Sequence, residues 1–206
     1  MSKGAGILLI LFTIAAAVGV SFYVLPIYSD GFDDPGLPGW TVVDGQWQTV
    51  SDETSSVLMV AGHEYDRYDV VLDCELPQNY AVEVDVYIES FERRGPEAQV
   101  ILRYRDPSNY YFVGVGAYGY LAAVGRYVDG TATLVDGGGE PGYMDVETGR
   151  WYHVKASAVG STIRVWVDGQ LVVEAVDTSH PDGKVGLTAI YSTAYFDSFA
   201  VNRVLG

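Results

Sequence analysis

The chain falls into two hydropathy regimes. Gly4 to Ile27, G-A-G-I-L-L-I-L-F-T-I-A-A-A-V-G-V-S-F-Y-V-L-P-I, carries no charge, and about 20 apolar residues suffice to cross the hydrocarbon core of a bilayer. This predicts an anchor over residues 1–28 that enters the lipid bilayer as a single-pass transmembrane helix through residues 4–27. Lys3 precedes the run and Asp30, Asp33 and Asp34 follow it. The positive-inside bias therefore puts the N-terminus in the cytoplasm and everything after Ser29 on the extracellular or periplasmic side. Two processing alternatives stay open: A-A-A at 15–17 as the end of a cleaved signal, and Lys3-Gly4 as a pilin-like leader. Ala15 and Gly19, together with Ala17 and Ser21, give one helical side almost no bulk. That predicts packing against the helices of other membrane-complex or filament subunits.

From residue 29 to 206 the pattern changes to short runs rich in Val, Tyr, Trp and Ile, broken by Gly, Asp, Asn and Pro. No helical period is visible, and the alternation predicts strands near 40–43, 46–50, 57–61, 68–72, 79–89, 98–105, 109–116, 119–128, 131–135, 151–159, 161–167, 170–176, 184–190 and 194–203. Asp129-Gly130 and Asp168-Gly169, each between apolar runs, are hairpin turns. Arg105 to Asn109, R-D-P-S-N, is a further reversal. The expected fold class is all-β, two large antiparallel sheets forming one sandwich domain at 29–206.

Charge and composition remove several functions. The net charge is −15 and no basic cluster exceeds Arg93-Arg94, so nucleic acid is excluded as a partner, because phosphate binding needs a positive surface. Cys74 is alone and cannot form an intrachain disulfide. His63, His153 and His180 are scattered, with no zinc-ligand spacing among them.

Four stretches carry a resemblance. They are G-F-D-D-P-G-L-P-G-W with D-G-Q-W, V-I-L-R-Y-R-D-P-S-N-Y-Y-F-V-G-V, G-R-W-Y-H-V-K-A-S-A-V-G-S-T-I-R-V-W-V-D-G-Q, and D-G-K-V-G-L-T-A with A-Y-F-D-S-F-A-V. In this order they resemble the concanavalin A-like jelly roll, and within it the laminin-G-like domains and the domain of 3-keto-disaccharide hydrolases. The resemblance implies a jelly-roll sandwich and is compatible with a lectin, a hydrolase or an adhesion module.

E-V-D-V-Y-I-E, Glu83 to Glu89, tests the hydrolase option. The glucanase branch of that superfamily places its acids as E-x-D-x-E or E-x-D-x-x-E, whereas here Tyr87 and Ile88 occupy the last position. Glu83 and Glu89 stand roughly 20 Å apart along a strand, too far for a retaining pair, which needs about 5–5.5 Å. Glycan cleavage is therefore not expected, and the chain reads as a non-catalytic module. Strand alternation puts Glu83, Asp85 and Tyr87 on one face, and the next strand offers Arg103 and Arg105. Two readings follow: cross-strand ion pairs on a solvated face, or, with Trp166, a groove for a glycan. Asp33 and Asp34 near the start and Asp197 near the end form a possible calcium site if the terminal strands are neighbours; the alternative is that they only form turns.

The reading is a membrane-anchored extracytoplasmic module for recognition or assembly, binding glycan or protein. The alternative is a pilin-like structural subunit of a surface filament.

Overall fold

The period-two pattern is realised as strands throughout the computed structural model, which describes residues 23–51, 56–61, 67–91, 95–142 and 145–204. In chain order these are β1 (Tyr23–Asp30), β2 (Trp40–Val42), β3 (Trp47–Ser51), β4 (Ser56–Val60), β5 (Arg67–Leu72), β6 (Tyr80–Phe91), β7 (Glu97–Asp106), β8 (Asn109–Val115), β9 (Ala122–Val128), β10 (Thr131–Gly138), β11 (Trp151–Val159), β12 (Thr162–Val167), β13 (Gln170–Val176), β14 (Lys184–Ile190) and β15 (Ser192–Val204). Among the described residues the first sheet runs β13-β12-β11-β6-β15-β4-β3, with β1 also on β15, and the second runs β10-β9-β8-β7-β14-β5-β2. Every strand pairing within them is antiparallel.

The core lies between the sheets. On β6, Val82, Val84, Val86 and Ile88 are fully buried while Glu83, Asp85 and Tyr87 stay partly exposed, the signature of one face packed and one wet. The predicted hairpins form with both turn residues left-handed, φ 49° and 78° at Asp129-Gly130 and 51° and 79° at Asp168-Gly169. That is the geometry matching the twist of the flanking strands.

The N-terminal boundary differs from expectation. Tyr23–Ile27 belong to β1, which pairs with the end of β15, Tyr23 opposite Val204 and Asp30 opposite Phe199. Pro26, which has no N–H to give, sits at a register shift in that pairing. Tyr28 packs edge-on against Trp40 and Phe199, and its hydroxyl donates to Asp30 Oδ2 at 3.0 Å. An apolar β-strand and the end of an apolar span look alike in sequence; β1 has a partner strand and a core to cover. Residues 4–22, with Ala15, Ala17, Gly19 and Ser21, lie outside the described residues. No helix among those described is long and apolar enough to cross a membrane.

Chain neighbours β6 and β7 also part company. β6 is flanked by β11 and β15, and β7 by β8 and β14 in the opposite sheet. Arg103 therefore cannot pair across strands with Glu83 or Asp85. It sits at an irregular step of β7 with φ 52°, buried, its Nη1 donating to the His180 carbonyl at 2.9 Å and its Nη2 to the Gly160 carbonyl at 2.6 Å. Its backbone N–H donates to the Tyr80 hydroxyl at 3.0 Å. Arg103 thus ties β7 to the segment before β14 and to the β11–β12 turn.

That segment has a second tie. Asp177 accepts hydrogen bonds from Arg126, from the Tyr111 hydroxyl at 2.6 Å and from the Ser179 N–H at 2.8 Å. Burial acts to raise its pKa, but these donors outweigh burial and hold Asp177 below the usual carboxylate range.

Candidate functional site

A sheet in a two-layer sandwich buries one face against its partner and normally leaves the other to water. The second sheet does not follow this rule. β7 and β14 are buried along most of their length, and polar residues interrupt their apolar runs. Register places Asp69 of β5 opposite Thr188 of β14, and Thr188 opposite Gln99 of β7. All three are fully buried, on three adjacent strands and on the face turned away from the core.

The hydrogen bonds of this row are incomplete. Gln99 Nε2 donates to Glu97 Oε2 at 3.1 Å. Asp69 Oδ2 pairs with Arg67 Nε at 3.0 Å and lies 3.5 Å from the Tyr110 hydroxyl. Asp69 Oδ1, Gln99 Oε1 and the Thr188 hydroxyl have no hydrogen-bond partner among the described residues. Thr188 is close enough to favour the Asp69 charge without making a hydrogen bond of proper geometry. Burial pushes the Asp69 carboxyl above the usual carboxylate range even though the Arg67 guanidinium draws it down. Buried polar atoms are usually satisfied, because each one left open costs about 1–3 kcal/mol. Three neighbouring exceptions, all able to accept a hydrogen bond, set this row apart from the rest of the sheet.

Aromatic rings wall this row. Tyr110, Phe112 and Ile101 form a cluster separate from the intersheet core, with Tyr104 and Tyr127 against it. Tyr127 lies 5.0 Å from Tyr110 and 5.3 Å from Phe112 between ring centres, and Tyr118 stacks on Phe112 at 5.8 Å. Gly125 makes room: a Cβ there would fall 2.3 Å from the Phe112 ring. The Arg67 guanidinium lies 4.8 Å from the Tyr127 ring centre and 5.5 Å from that of Tyr110. β5 and β9 are four strands apart, roughly 19 Å on a flat sheet, so these long side chains converge over the face like the wall of a bowl and cover its floor of Asp69, Gln99 and Thr188, which has no exposed surface. The floor is polar and acceptor-rich, and the wall is aromatic with one fixed cation.

The outer face of the first sheet holds four of the six residues expected to form the groove. Glu83, Asp85, Tyr87 and Trp166 share it, partly exposed. Their partners come from β11, not β7. Lys155 Nζ lies 3.2 Å from Glu83 and 5.6 Å from the Trp166 ring centre, and His153 Nδ1 is 2.7 Å from Asp85. Arg105 is on the other sheet, near Asp182 and Lys184.

The aspartates expected to share calcium do not converge as one set. Asp34 turns to its own loop and accepts from the Gly36 N–H at 2.9 Å. Asp197 accepts from the Ser198 N–H at 2.6 Å; burial, then the neighbouring charges of Asp85 and Asp33, push its carboxyl up. Asp33 and Asp197 thus come within electrostatic range, as expected of neighbouring terminal strands. Among the described residues no group of three His, Cys, Asp or Glu stands where it could hold a metal ion.

Arg67, Asp69, Glu97, Gln99, Thr188 and the bowl's tyrosines were not singled out in the sequence. The available signal was one polar residue at an outward position inside each of three apolar runs, Y-D-V-V-L, A-Q-V-I-L and G-L-T-A.

The class of fold is an antiparallel jelly-roll-like sandwich of two sheets. Residues 28–202 match the family described as the 3-keto-alpha-glucoside-1,2-lyase-like domain, and the chain belongs to that family. It is 24% identical over 162 residues to the levanase of Bacillus subtilis (strain 168), a match covering 79% of this chain and 22% of the levanase. The carbohydrate-binding module CBM66 from Bacillus subtilis has a similar fold, with a TM-score of 0.65 at 22% identity over 80% of this chain and 95% of the module. So does domain 4 of an extracellular GH43 arabinanase from Geobacillus stearothermophilus, solved with arabinotriose, with a TM-score of 0.57 at 10% identity over 81% and 84% of the two chains.

Proposed function

We propose that this protein recognises carbohydrate in the bowl on the second sheet and does not cleave it, acting as a binding module held outside the cytoplasm by its apolar N-terminal segment. The observation that carries this reading is the row of unpaired acceptors on Asp69, Gln99 and Thr188, buried beneath Arg67 and aromatic rings that must swing aside to admit a ligand. Sugar hydroxyls are the donors such a floor lacks, and the tyrosine rings suit the C–H faces of a saccharide. Arg67 is fixed by Asp69 and by two rings, which leaves it placed to donate to a ring or glycosidic oxygen. The similarity to a carbohydrate-binding module and to a glycan-degrading enzyme supports the same ligand class.

Retention of the full chain in native gels containing levan, arabinan or xylan tests this. At least one polysaccharide is expected to slow the protein, and migration unchanged by a wide polysaccharide panel would reject the reading.

One observation favours a second reading. Asp69 is a buried carboxylate with a raised pKa and one free oxygen, the state a general base needs. In a bowl that holds a 3-keto glucoside, it would take the proton from the carbon next to the ketone as the glycosidic C–O bond breaks, the leaving oxygen taking up a proton to depart as an alcohol. Release of product from a 3-keto glucoside, lost in Asp69→Asn, would favour this lyase reading over binding alone.

A further inference from the structure

The outer face of the first sheet carries an aromatic row that neither the core nor the bowl uses. Register aligns Trp151 of β11 with Tyr87 of β6, and Tyr87 with Tyr195 of β15. The ring centres are 5.4 Å apart for Tyr87 and Trp151 and 5.8 Å for Tyr87 and Tyr195. The rings are inclined by 47° and 74° and, with Glu89, line a shallow open cleft of about 150 Å³. Trp151 is 45% exposed. Burial of its ring therefore does not explain a tryptophan at this position, and a large aromatic left open to water is what a stacking partner would cover.

Polar groups flank the row. On one side the Tyr195 hydroxyl donates to Glu89 Oε1 at 3.3 Å. On the other, the next residues along the same strands are His153, Asp85 and Asp197, with Asp85 opposite both of the others and bonded to His153 at 2.7 Å. Carboxylates at both margins accept hydrogen bonds from hydroxyls and repel anions. The apolar cleft between them suits the ring of a neutral sugar, not a phosphorylated or uronic one.

We propose that Trp151, Tyr87 and Tyr195 form a second saccharide site, on the sheet opposite the bowl, that takes one ring of a neutral glycan by stacking, with Glu89 as hydroxyl acceptor. The proposal rests on the reading of the chain as a carbohydrate-recognition protein. Two sites on opposite faces allow one molecule to bridge two glycan chains, which makes attachment to a polymer stronger than either site alone.

The test uses the full chain, Trp151→Ala, Asp69→Asn and the double variant in native gels containing a neutral polysaccharide that retains the parent. Trp151 is partly exposed on a sheet face, so its replacement should leave the fold intact, which the near-ultraviolet spectrum and melting curve check. Loss of one stacking aromatic is expected to weaken retention about tenfold in Trp151→Ala, with residual retention abolished in the double variant. Retention by Trp151→Ala equal to the parent's, with loss in Asp69→Asn, overturns this second site and leaves the bowl standing. The reverse pattern supports the second site and removes the bowl, and a parent retained by no polysaccharide contradicts both.

Discussion

Replacing Arg103 with Leu is expected to lower stability by about 3 kcal/mol, the largest single loss predicted for this domain. The guanidinium is buried and donates to the His180 and Gly160 carbonyls. An apolar side chain leaves both carbonyls without that donor, at about 1–3 kcal/mol for each one that water cannot reach. Arg103→Lys keeps the charge but not the planar fork that reaches two acceptors at once, and should lose somewhat less. Since 1 kcal/mol shifts Tm by about 2–4 °C for a domain of this size, a drop near 10 °C is expected for Arg103→Leu. A fall of less than about 2 °C would show that Arg103 is not the tie between β7 and the two loops.

The second large effect falls on binding and has the opposite sign for stability. Asp69→Asn keeps the shape of the bowl floor and removes its charge. A hydrogen bond to a charged group contributes about 1.5–3 kcal/mol, so affinity for a bound saccharide should fall about 10- to 100-fold. The folded protein at neutral pH should be no less stable than the parent. The sign follows from the raised pKa of Asp69: a carboxyl whose pKa is higher folded than unfolded favours folding below its unfolded pKa, about 3.9. That advantage is lost as pH rises through the folded value. Above the unfolded pKa the parent therefore bears the net cost of burying this carboxyl, and the variant does not. Denaturation curves at pH 7 and pH 4 should show any advantage of Asp69→Asn shrinking at the lower pH. A variant that binds like the parent, or one much less stable at pH 7, would mean that Asp69 serves the fold and not a ligand.

Much of the fold could be read from the chain because each signal was local. The alternation Val82, Val84, Val86, Ile88 against Glu83, Asp85, Tyr87 marked the two faces of β6, and the Asp-Gly pairs marked their hairpins without reference to anything distant. β1 was hidden because V-L-P-I-Y continues an apolar run that on hydropathy alone reads as membrane; only the partner strand β15 distinguishes the two. The face shared by Glu83, Asp85, Tyr87 and Trp166 was legible for the same local reason. Arg103 and Arg105 were misassigned because adjacent strands in sequence were expected to pair, whereas the jelly roll sends β6 and β7 to opposite sheets. The bowl depends on register between strands more than a hundred residues apart, as with Asp69 and Thr188. Each of its polar residues, taken singly, looks like an ordinary interruption of an apolar run.

The location of the bound saccharide tests the central claim most directly. Backbone amide shifts of the isotopically labelled chain, followed while titrating an oligosaccharide from a polymer that retains it, should move most at Asp69, Gln99 and Thr188 and at their neighbours on β5, β7 and β14. Saturable binding that leaves those amides unmoved would contradict the account, whatever other surface responded.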